Sequence, residues 1–596
     1  MSNIFYITET SQLENVKKWI LEQTILGFDT ETTSLDPLTS EVLLIQIGNT
    51  SRQYVIDVAK IGKEKIKLFL KEINQPTLIK VFHNSIFDYM QIKSNFNIAL
   101  NNTKCTMLGE QLLNQGKSKV SFGLDSVVKK YLGKVLDKSI RESFSKQEYG
   151  NTFSEEQLKY SAEDVEYLVP LYYEIQKLLN ARNMEELSLL EYETAPVLGD
   201  MTLNGIYLDK NKWLPLEEKA KEAVQKAKEK LDMHFKNFLD TNKTIDLFGD
   251  VEFIINYNSP KQLLPRLREV TGLDLTSTDA KYLEYYKDDY QVIADLINYR
   301  QEQKKITTYG ANFLDYIHKV DNRIHSKYRQ LKAQTGRISS DDPNMMNLPK
   351  EQEYRTPFGV QNPEWNFISA DFSGQELRLL AHISQEPQMI SALQKNIDLH
   401  TFSASLLFNK DYHSITKKER NQCKTITFAL LYGAGPKKLS TQLKISYDDA
   451  KGLLDRYFIV FKNVKKFMDS VVSQVKANKY AYSPLDGRRV YLDDIDWDNK
   501  AVVAHAINQA KNLPFQGGGA STIKLALVRL NNRIVKNNYN AKIVNAIHDE
   551  ILVEVAPEDT EAVKIAVQEE MIKAFNHYAD TVPMEVLPKV GKNWLH

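Results

Sequence analysis

Apolar and polar positions follow two rhythms along this chain, and the changes from one to the other mark out its elements. Ile25–Leu35, ILGFDTETTSL, reads as a buried strand that ends in polar residues, so Asp29 and Glu31 fall two apart on one face. Trp365–Ser384, WNFISADFSGQELRLLAHIS, begins as an apolar strand, reaches Asp371 at its end and then turns into a helix. Lys542–Val555, KIVNAIHDEILVEV, reads as a hairpin with His548, Asp549 and Glu550 at its tip, where Gly or Asn is the usual choice. A helical rhythm governs Leu158–Leu179, LKYSAEDVEYLVPLYYEIQKLL, placing Tyr160 and Asp164 four apart on one face. HNSIFDYMQI puts Asp88 at the start of another helix, and Lys212–Asp240 carries Ala220, Ala223, Val224, Ala227, Leu231, Phe235 and Phe238 at helical spacing among lysines.

The most telling helical stretch is Arg420–Gly433, RNQCKTITFALLYG, in which Arg420, Lys424, Phe428 and Tyr432 recur every fourth residue. Steps of four drift only about 40° around a helix, so two cations and then two aromatic rings share one wall. That wall suits a nucleoside triphosphate, with charge for the polyphosphate and flat apolar surface for the base. On spacing alone a plain amphipathic helix whose Arg and Lys face solvent is the better reading, and the rest of the chain reverses that balance.

Composition narrows the classes. With 596 residues and 42% hydrophobic content, the chain is long enough for more than one packed domain. Its 77 Lys+Arg balance 77 Asp+Glu, so nucleic-acid binding must come from local basic surfaces rather than an overall field. Cys105 and Cys423 give neither a disulfide framework nor paired zinc ligands, and a reducing compartment fits. No leader and no apolar run of about 18 residues is present, which reads as a soluble, cytoplasmic chain with no membrane partner.

The acids then acquire a chemical meaning. Two carboxylates on one strand face repel unless a cation lies between them, and hard oxygen-only ligands favour Mg²⁺ or Mn²⁺. The order DxE, D, YxxxD resembles the 3′-5′ proofreading exonucleases of the DEDD type, tyrosine subclass, which have an RNase H-like fold. That resemblance implies that Asp29, Glu31, Asp88 and Asp164 hold two divalent cations and that Tyr160 orients the attacking water. RxxxKxxxFxxxYG resembles the nucleotide-binding finger helix of family A DNA polymerases, DFSGQELR their motif A and HDE their motif C.

By this second resemblance the fold class is multidomain α/β and α+β, an exonuclease domain followed by a right-hand polymerase. The exonuclease would span 1–190 and the polymerase 191–596, with the thumb at about 200–318, palm at about 319–382 and 482–596, and fingers at about 383–481. Asp371 and Asp549 would hold two Mg²⁺ ions, Glu550 would support them and His548 would position the primer end. Arg420, Lys424 and His400 would bind the triphosphate, Phe428 would pack on the incoming sugar and base, and Tyr432 would guard the templating pair. Glu376 would fill the place of a ribose 2′-hydroxyl and so select deoxynucleotides. Arg337, Arg488, Asn512 and Gln516, in QTGRISS, GRR and NLPFQG, would contact the primer-template.

The implied reaction is template-directed DNA synthesis with proofreading, in replication or repair. Its partners would be primer-template DNA and dNTPs, with a processivity factor or a helicase–primase as further candidates and a monomeric chain. Nothing precedes the exonuclease motifs, so a 5′ nuclease domain is expected to be missing. Gly374, Gln375 and Ser521 depart from the family pattern, where Gln, Ile and an acid are common, and are expected to alter fidelity or substrate handling. Two rival readings are an exonuclease with an inactive polymerase body and a non-catalytic DNA-binding scaffold. Intact Asp371, Asp549, Lys424 and Glu376 argue against the first.

Overall fold

The computed structural model describes residues 3–236, 243–245, 251–253 and 255–595; Phe238 lies outside them. The chain forms two compact units, one of Met1–Gly205, His325–Met346 and Glu364–Val590, the other of Ile206–Ile324, Asn347–Pro363 and Gly591–His596. No helix among the described residues is long and apolar enough to cross a membrane.

In the first unit a six-stranded mixed sheet is built from β1 (Ile4–Ile7), β2 (Ile25–Thr32), β3 (Val42–Asn49), β4 (Arg52–Asp57), β5 (Ile79–Phe82) and β6 (Thr103–Cys105), in the order β1-β4-β3-β2-β5-β6. β2 runs antiparallel to β3 and parallel to β5. Leu26, Phe28, Ile45, Ile47 and Phe82 pack with Val16, Ile20, Ile66 and Phe69, while Val81 joins Val165, Leu168, Leu171 and Ile175. Such coverage explains why β3 reads as an almost unbroken apolar run.

The helix expected over Leu158–Leu179 is two helices, Glu155–Glu166 and Leu168–Ala181. Pro170 has no N–H to offer the carbonyl of Glu166, and the chain breaks at Tyr167. Ser154 and Gln157 close a capping box at the start of the first helix, fixing the turn from which Tyr160 and Asp164 project.

The same unit contains a four-stranded sheet in which Glu550–Val555 lies between Ala541–Ile547 and Asn366–Asp371, both antiparallel to it. Only His548 and Asp549 form the turn. Glu550, expected at the tip, is the first residue of its strand, pairs with Asp371 and Ile547, and is buried. His548 adopts φ 56°, a left-handed conformation that costs a non-glycine residue roughly 1 kcal/mol.

Helix Glu185–Asn204 runs through the boundary expected near residue 190 and packs against both the Ser85–Phe96 helix and the 37-residue helix Lys500–Lys536. Its Glu191 is wholly buried and accepts from Arg488 Nη2 at 3.0 Å, from Lys524 Nζ at 2.7 and 2.8 Å, and from Gln330 Nε2 at 3.0 Å. Arg488 also meets Asp486 Oδ2 at 3.2 Å, and Ser521 Oγ donates to that same carboxylate at 2.6 Å. Ser521, one of the departures from the family pattern, thus shares the Asp486 carboxylate with Arg488. Glu191→Ala would leave two cations in the interior with one carboxylate between them. The expected loss is about 3–5 kcal/mol of unfolding free energy, checked by urea melts.

In the second unit, Ile206–Leu208 is the central strand between Arg323–Ile324 and Phe358–Gly359. Helices Lys210–His234 and Gln291–Tyr309 pack along each other, and Trp213 stacks on Phe313 at 4.9 Å. The chain becomes helical again at Pro260, where a proline at the first helical position costs no hydrogen bond.

Candidate active sites

Two acidic sites lie in the first unit. In the first, β2 carries Asp29 and Glu31, whose ligand oxygens fall with one of Asp164 within 4.8 Å of one another. Asp88 comes from the first turn of Ser85–Phe96, where its oxygen accepts from Thr30 Oγ1 at 2.7 Å. Burial, together with the charges of Asp88, Asp164 and Glu31, pushes the Asp29 carboxyl well above its usual range, and burial pushes Asp88 up to about 7. Acids crowded until they resist ionisation are a donor set that hard divalent cations fit, because the cation supplies the missing charge. Tyr160 is buried beside them, its ring 5.9 Å from that of Phe144.

A cleft of about 610 Å³ opens beside the helix that carries Asp88, lined among others by Asn84, Ser85, Gln115, Lys117, Arg329 and Lys332. Asn84 Oδ1, Ser85 Oγ and Gln115 Oε1 are buried without hydrogen-bond partners among the described residues. Unpaired polar atoms in a roomy cleft are groups a ligand or water must satisfy.

The second site is a cleft of about 330 Å³ whose lining includes Arg337, Glu376, Phe428, Tyr432, His548 and Asp549. Four stretches distant in sequence meet there. Asp371 ends its strand, exposed, opposite Glu550, and the Phe372 N–H donates to the Asp549 carbonyl at 3.3 Å. Burial, with the Asp371 charge beside it, pushes the Asp549 carboxyl up to about 6, although its own backbone hydrogen bond works the other way. Glu376 accepts from Arg337 Nη2 at 2.8 Å and from the Tyr432 hydroxyl at 3.2 Å.

The wall of cations and rings lies on helix Lys417–Leu431, started by a Thr416–Glu419 capping box. Cys423, Ile426, Thr427 and Leu430 are buried on the other side, leaving Lys424 exposed and Arg420 and Phe428 half-buried. Tyr432 lies one residue beyond the helix. Gly433 follows at φ 66°, where a Cβ would meet the Asn508 backbone at 2.8 Å, so this glycine lets the helix end press against Lys500–Lys536.

Sequence reasoning had not given Asp398 a role. It caps helix Leu399–Phe408 through the Thr401 N–H at 2.8 Å and receives Arg420 Nε and Nη2 at 2.8 and 2.9 Å. Burial opposes its ionisation, but the bonds from Arg420 and Thr401 hold it down at about 2. The signal was its place just before a helical stretch. His400, two residues on, is pushed down to about 4 by burial and lies 6.0 Å from the Phe428 ring, so at neutral pH it is an uncharged imidazole.

Asn512 and Gln516 lie four apart on Lys500–Lys536, half-buried. Arg488 requires a correction. Its side chain is fully enclosed and committed to Glu191 and Asp486, so it cannot present its guanidinium to a primer-template. Of the departures, Gly374 has φ 62° with open space around it, so a side chain there would bring backbone strain rather than a clash. Gln375 is buried, and its amide nitrogen has no hydrogen-bond partner among the described residues.

A sheet whose Asp29 and Glu31 meet Asp164 from a covering helix, followed by a second sheet whose acidic turn faces a helix of cations and rings, defines a chain with an exonuclease domain and a polymerase domain. The description "3'-5' exonuclease" matches residues 4–180, and "DNA polymerase family A" matches residues 221–596. The chain belongs to DNA polymerase family A. It is 32% identical over 99% of its length to DNA polymerase I of Borreliella burgdorferi, of which it spans 64%. It is 30% identical to DNA polymerase I of Aquifex aeolicus over 99% of both chains. The fold matches the POL domain of Pol1 from M. smegmatis, solved as a complex with DNA primer-template and dNTP, at TM-score 0.82 over 99% of both chains and 24% identity.

Proposed function

We propose that this chain is a DNA-dependent DNA polymerase that extends a primer 3′ end with deoxynucleotides and trims the same end with its exonuclease domain. The observation that carries it is the convergence of Asp549, His548, Glu376, Arg337, Phe428 and Tyr432 on one cleft, with Asp371 beside it. Asp371 and Asp549 would hold Mg²⁺ at this site, and Asp29, Glu31, Asp88 and Asp164 at the other, with Mn²⁺ as a substitute. Bound there, a pair of such ions lowers the pKa of a nucleophile and stabilises the leaving oxygen of a phosphoryl transfer.

The remaining roles belong to side chains. Lys424 and Arg420 supply charge for the triphosphate, with Asp398 holding the Arg420 fork in place, and neutral His400 offers a hydrogen bond rather than a charge. Phe428 and Tyr432 bound the base and sugar. Glu376, anchored by Arg337 and Tyr432, would take the room a 2′-hydroxyl needs. Arg337, Asn512 and Gln516 would donate to minor-groove acceptors, which lie nearly alike in every base pair. In the exonuclease, Tyr160 orients water, and the 610 Å³ cleft with Lys117, Arg329 and Lys332 receives the unpaired primer end. The chain works as a monomer in a soluble compartment, in replication or repair.

Primer extension with Mg²⁺ and all four dNTPs tests the reading directly. No extension by pure, folded protein would leave the exonuclease with an inactive body as the better account. A sharper check is Phe428→Tyr, whose added hydroxyl supplies one more hydrogen bond beside the sugar. Incorporation of dideoxynucleotides relative to deoxynucleotides is expected to rise about tenfold, and an unchanged termination ratio would overturn the placement of that ring.

A further inference from the structure

Lys138 lies between helix Leu124–Leu132 and the short turn Arg141–Lys146, in a segment with no periodicity and no expected ligand. Its ammonium pairs with Asp164 Oδ1, donates to the Tyr160 hydroxyl at 3.3 Å and sits 4.7 Å from the centre of the Tyr160 ring. Its charge also acts on Asp29. The side chain is about a quarter exposed, and Phe144 packs against the Tyr160 ring. One lysine therefore touches two of the five residues assigned to trimming and influences a third.

We infer that Lys138 is a positioning residue of the trimming site, an inference that rests on the exonuclease reading above. It is the counter-ion of Asp164 when no divalent cation is bound, and during trimming it fixes the Tyr160 hydroxyl. The Lys138 ammonium offsets the Asp164 charge that a metal ion would otherwise draw on, so Lys138 sets the metal concentration at which the site loads. An ammonium donating to the Tyr160 oxygen makes that oxygen an acceptor on the Lys138 side, so the phenol proton points away from it. In trimming, water oxygen bonds to phosphorus as the bond to O3′ breaks; water gives up one proton and O3′ takes one. Lys138 takes no part in that proton exchange and acts only through Tyr160 and Asp164.

The test compares the full chain with Lys138→Met, Tyr160→Phe, the double variant and Lys138→Arg, with melting temperature as the folding control. Mn²⁺ binding is followed by electron paramagnetic resonance without DNA, and 3′ trimming of single-stranded DNA at saturating metal. Lys138→Met should bind its first Mn²⁺ several-fold more tightly, and Lys138→Arg should return the affinity to that of the wild type. Trimming kcat should fall about tenfold in Lys138→Met, and the double variant should be no slower than Tyr160→Phe alone. Unchanged Mn²⁺ affinity, or losses that multiply in the double variant, would overturn the inference. A wild-type chain that does not trim would refute the exonuclease reading instead, and the Mn²⁺ titration would still judge Lys138 as counter-ion.

Discussion

Asp371→Asn is expected to lower primer extension by a factor of about 10³ or more while leaving 3′ trimming within about twofold of the wild type. The side chain ends a buried strand, projects into solvent opposite Glu550, and neighbours the turn that carries Asp549. Burial holds the Asp549 carboxyl above its usual range, and the charge of Asp371 adds to that rise. Asparagine keeps the shape and removes one charge. Asp549 should then ionise more readily, while the site loses half of the negative charge it has to offer a cation. Because both activities are read from one preparation, retained trimming rules out misfolding as the cause of lost extension. Extension within tenfold of the wild type would end the case for Asp371 as a metal-holding residue. A scaffold that only binds DNA predicts no extension by either protein.

How much of this was legible in the sequence depends on whether a residue acts through local periodicity or through distant contact. Asp29 and Glu31 could be placed on one face because a strand repeats every two residues, and Arg420 to Tyr432 on one wall because a helix nearly repeats every four. The acids at the strand end and the turn were legible for the same reason. Arg488 shows where such reading stops. GRR gave no sign that Glu191, about three hundred residues earlier, would meet its guanidinium in the interior, because burial is set by the packing of helices far apart in sequence. Lys138 lay in a stretch without rhythm and became visible only once the chain closed it over Asp164. Helix limits failed where a single atom decided them, as at Pro170, whose missing N–H divides a run that hydrophobic spacing alone reads as continuous.

Asp29→Asn should have the opposite signature, with 3′ trimming lowered about 10³-fold or more and extension retained. It should also change stability in a direction that a solvated surface acid would not. Asp29 is held well above its unfolded pKa by burial and by Asp88, Asp164 and Glu31, so the folded chain binds protons that the unfolded chain releases. Under linkage, metal-free stability is fully present below about pH 4, the unfolded range, and falls as pH rises through the folded values, with Asp88 titrating near 7. Asparagine removes one of the mutually repelling charges. The metal-free variant should therefore melt higher than the wild type at pH 7.5, and the gap should shrink toward pH 4. Adding Mg²⁺ should raise the wild-type melting temperature more than that of the variant, since a bound cation relieves the repulsion only where the full carboxylate set remains. A variant that trims normally would sink the assignment of Asp29. One that loses trimming yet melts lower than the wild type in the absence of metal would show that Asp29 stabilises the fold, contrary to the crowding argued from its neighbours.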